Sequence, residues 1–545
     1  MTDTAPPTSS SENKPSHQNV SSTNSTDSDD AYRLRSEALA TDASKLEDGY
    51  FLSPRVVGSF LGTGIVVVAT YFQFQALAAV LMSAVYPDIG PSANVALVST
   101  VWSAAQPIAL LLFGRLSDRF GRRHFSLGSC VLAIIGGIVA ATAQSIETLI
   151  AAEVSTGIAS GVPAAYPLLV GKLVSNKHKY QSRRLKKVDW LGVVLLTAGL
   201  ALFLRGISWG DPAQRWTSPK ILGLLISGAV AVVSFMLYET LFTPDQAIVP
   251  MRFFRDPRGF TCLEVISATY GVINIALFVM WPQQVTYIFG STVSSWKESA
   301  WLSTTAAFGL WGGIVVLGPL MSWIGHVRYQ IMVSSLRMTA FFGAMASITV
   351  EHKSMAIVFS FLTGWTIGWG EVIAAIIVQY VVADEDLGVA FSVISASRTI
   401  FGSVFTAAFI AVYTNKVPGY LASTVPQRVL AAGLPESQLE AVMTAAAAAN
   451  QTALAVIEGM TPALLRTTNI AVSDAYSKSY SYVYYFAVAI GVRTITASVC
   501  MRNLDKYLTS PVSRQLYHKG DTKIDPLETA EGANANVRES EKTAV

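Results

Sequence analysis

Charge is what this sequence has least of. Lys, Arg, Asp and Glu together make up 14% of its 545 residues, where an ordinary soluble domain carries about a quarter. With 51% hydrophobic residues, that excludes a disordered chain and leaves too few charges to coat a soluble multidomain enzyme. A formal net charge of +3 provides no strong field for nucleic acid. Cysteine is scarce too. Cys130, Cys262 and Cys500 lie in or beside apolar runs, with neither disulfide nor metal-ligand spacing, and read as small core residues. No Gly-x4-Gly-Lys-Ser/Thr phosphate loop occurs. The nearest text, Gly171-Lys172-Leu173, lacks the pattern, so an ATP-driven pump has no support. No span has His/Cys metal spacing, and no nucleophile–base arrangement stands out. The chain therefore does not read as an enzyme, and neither cofactor nor metal is expected.

What is there is apolar length. The mean hydropathy is +0.43, and a membrane-spanning helix takes about 20 apolar residues. About twelve segments qualify: 57–84, 94–113, 126–143, 147–170, 189–207, 221–242, 260–284, 299–323, 329–349, 354–380, 388–413 and 480–500. They are too long and too uniformly apolar for barrel strands. The prediction is an all-α polytopic membrane protein. Residues 1–50 are rich in Ser, Thr, Asp, Asn and Pro and show no signal peptide, which reads as a disordered cytoplasmic tail. Four spans then form an N-terminal bundle over 51–186. A two-span pair covers 187–258, and a six-helix bundle covers 259–505. Residues 506–545 form a second cytoplasmic tail.

Lys and Arg set the orientation. The loop after the second segment carries Arg115, Arg119, Arg122 and Arg123. The loop after the fourth carries Lys172, Lys177, Lys179, Arg183, Arg184, Lys186 and Lys187, and that after the sixth Arg252, Arg255 and Arg258. Loops 85–93 and 144–146 have none. Basic loops stay inside, so both termini are predicted to be cytoplasmic. A long outer loop, 414–479, contains helix-favouring stretches that predict short surface helices. Its Asn450-Gln451-Thr452 is a glycosylation sequon.

One motif carries function. Gly114-Arg115-Leu116-Ser117-Asp118-Arg119-Phe120-Gly121-Arg122-Arg123 stands between the second and third segments. Gly114 and Gly121 permit close helix approach and a tight turn. Asp118 at a helix end can accept hydrogen bonds from arginines or a neighbouring helix N-terminus. Such a latch holds one face shut and releases when the halves rock. A weaker copy, Gly318-Pro319-Leu320 to Gly325 and Arg328, keeps the Gly, Leu, Gly spacing with Ser322 at the acidic place. Two copies point to two related halves.

The first copy resembles the motif between helices two and three of major facilitator transporters. YFLSPRVVGSFLGTG at 50–64, the stretch on to NKHKY at 176–180, WPQQV at 281–285, DEDLGVAFSVISASRTIFGS at 384–403, AAGLPESQL at 431–439 and LDKY at 504–507 resemble the fungal trichothecene efflux pump family. That family is a fourteen-helix branch of the superfamily, close to fungal siderophore–iron transporters. The resemblance implies the major facilitator fold and alternating access around a cavity near the bilayer midplane. It implies proton-coupled export of a toxin, drug or secondary metabolite, or else proton-coupled uptake of a ferric siderophore. The expected setting is a monomer in a fungal plasma membrane. Its partners would be a small-molecule substrate, protons and lipid, with the proton gradient in place of any cofactor. It also exposes a departure. Beside the family pattern, Tyr180 runs almost directly into Gln181–Trp190, so helices five and six are missing as a pair. A gene model that skips an exon and a shortened, non-transporting isoform both fit.

Ionisable residues inside spans are costly and functional by default. Glu371 and Arg398 lie in neighbouring segments at depths of about 14 and 16 Å, at 1.5 Å per residue. They are predicted to form a buried pair, either proton-linked or purely structural. Glu153, four residues before Gly157, is a further proton-site candidate. Gln73, Gln75, Trp102, Gln106, Gln283 and Gln284 are substrate-cavity candidates, with Gln73 and Gln106 foremost, because an amide facing lipid is costly.

Overall fold

A computed structural model describes residues 41–42, 54–89, 95–120, 122–161, 189–208, 218–242, 248–293, 295–382, 387–447, 454, 456–503 and 511–512. Helices dominate, because a chain in hydrocarbon must satisfy its backbone internally. In chain order these are α1 (Pro54–Val80), α2 (Val95–Phe120), α3 (Arg122–Ala141), α4 (Ile146–Gly161), α5 (Trp190–Ser208), α6 (Pro219–Phe242), α7 (Cys262–Phe289), α8 (Trp296–Ser303), α9 (Thr305–Gly312), α10 (Gly318–Ile324), α11 (Val327–Ala344), α12 (Lys353–Val381), α13 (Leu387–Ala431), α14 (Leu439–Ala447) and α15 (Pro462–Cys500). Six helical stretches are long and apolar enough to cross a membrane. Shorter apolar stretches, Gly64–Gln75, Val101–Phe113, Leu127–Ala141 and Leu191–Ile207, lie within α1, α2, α3 and α5. Residues 162–170 of the fourth predicted segment lie outside the described residues, as does Asn450.

The chain divides into two units. Asp48–Thr509 holds all the helices; Met1–Glu47 with Ser510–Val545 forms the other. In the latter, Thr41–Asp42 (β1) and Pro511–Val512 (β2) pair antiparallel, and the rest of both predicted tails lies outside the described residues.

Loop side chains set where helices start. Asp189 accepts from the Gly192 N–H at 2.9 Å ahead of α5. Asp256 accepts from Gly259 N–H at 2.9 Å ahead of α7, and Ser295 and Thr461 cap α8 and α15. Each meets an N–H that the first turn leaves unpaired.

The last two spans differ from expectation. α13 has 45 residues and α15 has 39, about 68 and 58 Å at 1.5 Å per residue, against a hydrocarbon core of about 30 Å. Much of the predicted loop 414–479 is therefore helix that continues α13 and precedes the span in α15, with α14 between them. Pro418 and Pro426 signal a break, yet α13 runs through both. Val417, Leu421, Val425 and Val429 form a buried stripe, and α15 offers Leu464, Thr468, Ala471 and Ala475 in return. Packing of the two stripes compensates the hydrogen bonds lost at proline. Arg428 and Asp474 add an ion pair at 2.5 Å. The cysteines also differ: Cys130 and Cys262 are half-buried, and Cys500 is exposed. On a lipid-facing surface an apolar thiol needs no core.

Two halves repeat one another in detail. In the first, α4 crosses α2 through glycines: a Cβ on Gly157 would meet Trp102 O at 2.8 Å, and one on Gly161 would meet Gln106 O at 3.0 Å. In the second, Gly364 and Gly368 of α12 lie on Ala306 O and Leu310 O of the span α8–α10. Trp102, Gln106, Gly114, Leu116 and Gly121 align with Ala306, Leu310, Gly318, Leu320 and Gly325 at one constant offset along the chain. So α1, α2, α3 and α4 correspond to α7, α8–α10, α11 and α12. In the second half α13 and α15 complete the bundle by packing on α7 and α11. α5 and α6 do not take those places in the first half. They pack on each other, and α5 leans on α2 and α13.

Candidate functional site

The seam between the halves carries the polar groups. Gly271 of α7 lies against the backbone and Cγ of Arg398, so α13 approaches closely and turns Arg398 toward α12. Arg398 Nη1 meets Glu371 Oε2 at 2.7 Å, with side chains 19% and 11% exposed. Asn274 Nδ2 donates to Glu371 Oε1 at 2.8 Å. The two charges predicted at similar depth thus meet, and each carboxylate oxygen has a donor. An ion pair of this kind can be made and broken as the helices that carry it move.

The first half reaches the helix that carries Arg398. Gln106 Nε2 of α2 donates to the hydroxyl of Tyr71 on α1 at 2.9 Å. Thr399 Oγ1 of α13 donates to Gln106 Oε1 at 3.1 Å. Trp311 Nε1 donates to Gln75 Oε1 at 3.0 Å, also across the seam. Trp102 stacks on Phe74 at 4.2 Å and meets Tyr71 edge-on at 5.7 Å. Its indole N–H is buried with no partner among the described residues.

The remaining candidates lie elsewhere. Gln73 is a correction: its amide lies beside Gly137 of α3, inside the first half. Two residues along a helix is a turn of about 200°, so Gln73 and Gln75 cannot both face the seam. Gln283 and Gln284 sit in the second half's own core, where Tyr413 donates to Gln283 at 3.3 Å and Gln284 donates to Tyr484. Glu153 is fully buried. Thr156 donates to its Oε2 at 3.2 Å, and its Oε1 has no partner among the described residues. For the motif, α2 continues through Gly114 to Phe120 and α3 opens at Arg122. Gly121 and the side chains of Asp118, Arg119, Arg122 and Arg123 lie outside the described residues. In the second copy Gly325 has φ 63° and His326 φ 51°, a left-handed turn that glycine permits. Gln330 Nε2 closes it by donating to Met321 O at 2.9 Å and to Gly325 O at 2.6 Å.

Sequence reading missed Tyr71, Asn274 and Thr399, which look like ordinary span residues until partners are known. It also missed Glu264, an acidic residue inside an apolar segment, which was a readable signal. Glu264 Oε2 is buried with no hydrogen-bond partner among the described residues.

Compared with known proteins, the chain matches the family model described as fungal trichothecene efflux pump (TRI12), over residues 20–183 and 181–541. The chain belongs to that family. The trichothecene efflux pump TRI12 of Trichoderma arundinaceum is 44% identical over 598 residues, covering 94% of this chain and 98% of the relative. That of Fusarium sporotrichioides is 40% identical over 563 residues, covering 91% and 94%. A bacterial homologue of the human lysosomal transporter Spinster, in an inward-facing unoccupied conformation, superposes with a TM-score of 0.46 at 15% identity, over 82% of this chain and 98% of that one. The family is one of efflux transporters, so the chain is a multi-pass membrane transporter of the major facilitator superfamily and not an enzyme. The family match falls in two pieces that meet at 181–183. The 598 aligned positions of the first relative exceed the 545 residues of this chain.

Proposed function

We propose that this protein exports a trichothecene-like small molecule across a plasma membrane in exchange for protons, as a monomer with both termini cytoplasmic. The relatives' names support the substrate class, and the basic loops support the orientation. The half-buried Glu371–Arg398 pair at the seam carries the proton coupling, because rocking of the halves moves the groups around it. Alternating access then loads and unloads Glu371 on opposite sides. Glu153, buried with one oxygen unpartnered, is a second proton site. Asp118 with its flanking arginines latches the inner face, and Gln75, Trp102 and Gln106 line the substrate path. In inside-out vesicles an imposed pH gradient should drive trichothecene uptake, and Glu371→Gln should abolish it with expression intact. Unchanged uptake in Glu371→Gln would remove the proton role, and gradient-driven movement of a ferric siderophore instead would reassign the substrate.

A second reading concerns completeness. The divided family match, the overlong alignment and the internal repeat favour an N-terminal half that lacks two spans between Tyr180 and Gln181. On this reading the transporting protein contains them, and the chain as it stands does not transport. The bare face is on α1 and α3. Leu61, Ile65 and Phe72 on one, and Leu127, Val131, Ile134 and Ile138 on the other, are exposed. A Cβ on Gly58, Gly62 or Gly64 would meet nothing within 4 Å. The matching helix α7 is buried on nearly every side.

A further inference from the structure

The hydrogen bonds that join α2 to α13 stop short of the Val95 end of α2. Thr399 meets Gln106, and one turn nearer that end Ser403 Oγ donates to Ser103 O at 3.2 Å. The two helices run antiparallel, so the next turn brings Thr406 level with the residues just before Trp102. Trp102 stands four residues before Gln106, on the same face of α2, and Gln106 touches both α1 and α13. Yet the Trp102 indole N–H and the Thr406 hydroxyl are buried with no partner among the described residues. The two residues are 3% and 1% exposed. A third group comes from α4. It runs parallel to α2, with Gly157 on Trp102 O and Gly161 on Gln106 O, so Glu153 stands one turn before the level of Trp102. Glu153 is 0% exposed, and its Oε1 also lacks a partner among the described residues. Helix side chains lean toward the N-terminus, which carries the Trp102 indole to the level of Thr406 and Glu153. The three groups lie within about one turn of one height, roughly 5 Å at 1.5 Å per residue.

The second half serves its matching level from within. There Trp281 Nε1 donates to Leu302 O at 3.0 Å and to Thr305 Oγ1 at 3.1 Å, and Thr305 and Ser360 share a hydrogen bond of 2.8 Å. Thr305 and Ser360 stand where the first half has Val101 and Glu153. A buried polar group without a partner is costly inside a bilayer, and here two donors and an acceptor gather at one level. We propose that Trp102, Thr406 and Glu153 form a binding site for a neutral, oxygenated small molecule. An ether or carbonyl oxygen of that molecule accepts from Trp102 Nε1–H and Thr406 Oγ1–H, and a hydroxyl donates to Glu153 Oε1. Phe74, stacked on Trp102 at 4.2 Å, fixes the edge of the indole and gives an apolar wall for a rigid carbon skeleton. Thr406 belongs to the second half and the other groups to the first, so the site is whole only while α2 and α13 meet. Parting the halves takes Thr406 away and loosens the bound molecule.

This inference rests on the export reading for its substrate class and is independent of any proton role of Glu153. Equilibrium binding of a tritiated trichothecene alcohol tests it, on the 545-residue chain in lipid nanodiscs, since that chain holds every helix of the site. Trp102→Phe keeps a ring on Phe74 and should weaken binding about five-fold. Thr406→Val should do the same, and Thr406→Ser should recover most of the loss. Acetylating the hydroxyl of the probe should weaken binding to the parent by a similar factor and make little difference to Glu153→Met. Thermal unfolding without ligand gives the readout that a packing role would move. Trp102→Phe and Thr406→Val delete groups that have no partner in the fold, so neither should lower the midpoint. Parent affinity in both variants, or a lowered midpoint in both, would overturn the site while leaving export of this class in place. A parent that binds no trichothecene would overturn the substrate class and this proposal with it.

Discussion

The two halves of this transporter share a backbone plan and differ in chemistry. In both, a glycine pair one turn apart lays its helix on carbonyls of the span two before it. The second half goes further, with Gly309 and Gly313 answering from the other side, where the first half has Ala105 and Ala109. The polar groups diverge more. Thr305 and Ser360 share a hydrogen bond of 2.8 Å in the second half. Their counterparts are Val101 and Glu153, so the first half buries a carboxylate where the second buries a matched hydroxyl pair. The repeat therefore constrains close packing, which tolerates no side chain, and leaves free the positions where a polar group can be served in more than one way. The halves also differ in completeness, since α13 and α15 have no counterparts among the described residues of the first.

That comparison can be broken in several places. The largest effect belongs to the ion pair. Arg398→Met leaves Glu371 buried without its cation and should cost about 3–5 kcal/mol, whereas Arg398→Met with Glu371→Leu should recover most of it. Thermal unfolding in detergent checks both, and equal losses would mean the pair is not buried in solution. Next come the packing glycines. Gly368→Ala and Gly161→Ala should each cost about 1–3 kcal/mol, with the second half the more sensitive because its glycines interlock from both helices. Smaller again is a graft of the second half's chemistry onto the first. Val101→Thr with Glu153→Ser should raise stability by about 1 kcal/mol, and a loss would show that Glu153 has a stabilising partner. The smallest effect is at the bare face. Gly62→Ala should change stability by less than about 0.5 kcal/mol in this chain, but should be costly in a protein where two further helices pack there.

Much of this was legible in the sequence. The places of most spans follow from apolar length, while the caps that start them, such as Asp189, came from the structure. The meeting of Glu371 and Arg398 followed from depth, because rise per residue converts position into height. What length and depth cannot give is direction around the helix axis. Gln73 and Gln75 look alike in the chain, yet only Gln75 reaches the seam. Tyr71 and Thr399 gained meaning only from Gln106, which bonds both. Nor could proline rules foresee α13, since the stripe that carries it through Pro418 and Pro426 depends on α15. The family resemblance suggested a break at Tyr180–Gln181, and on the proposed reading the exposed faces of α1 and α3 are where two further helices would pack.

Sequencing full-length transcripts across the Tyr180–Gln181 codons tests this asymmetry of the halves most directly. An in-frame insertion encoding two apolar segments of about 20 residues each is the predicted result. Contiguous codons in every transcript, with the protein purified at this length and active in transport, would contradict it.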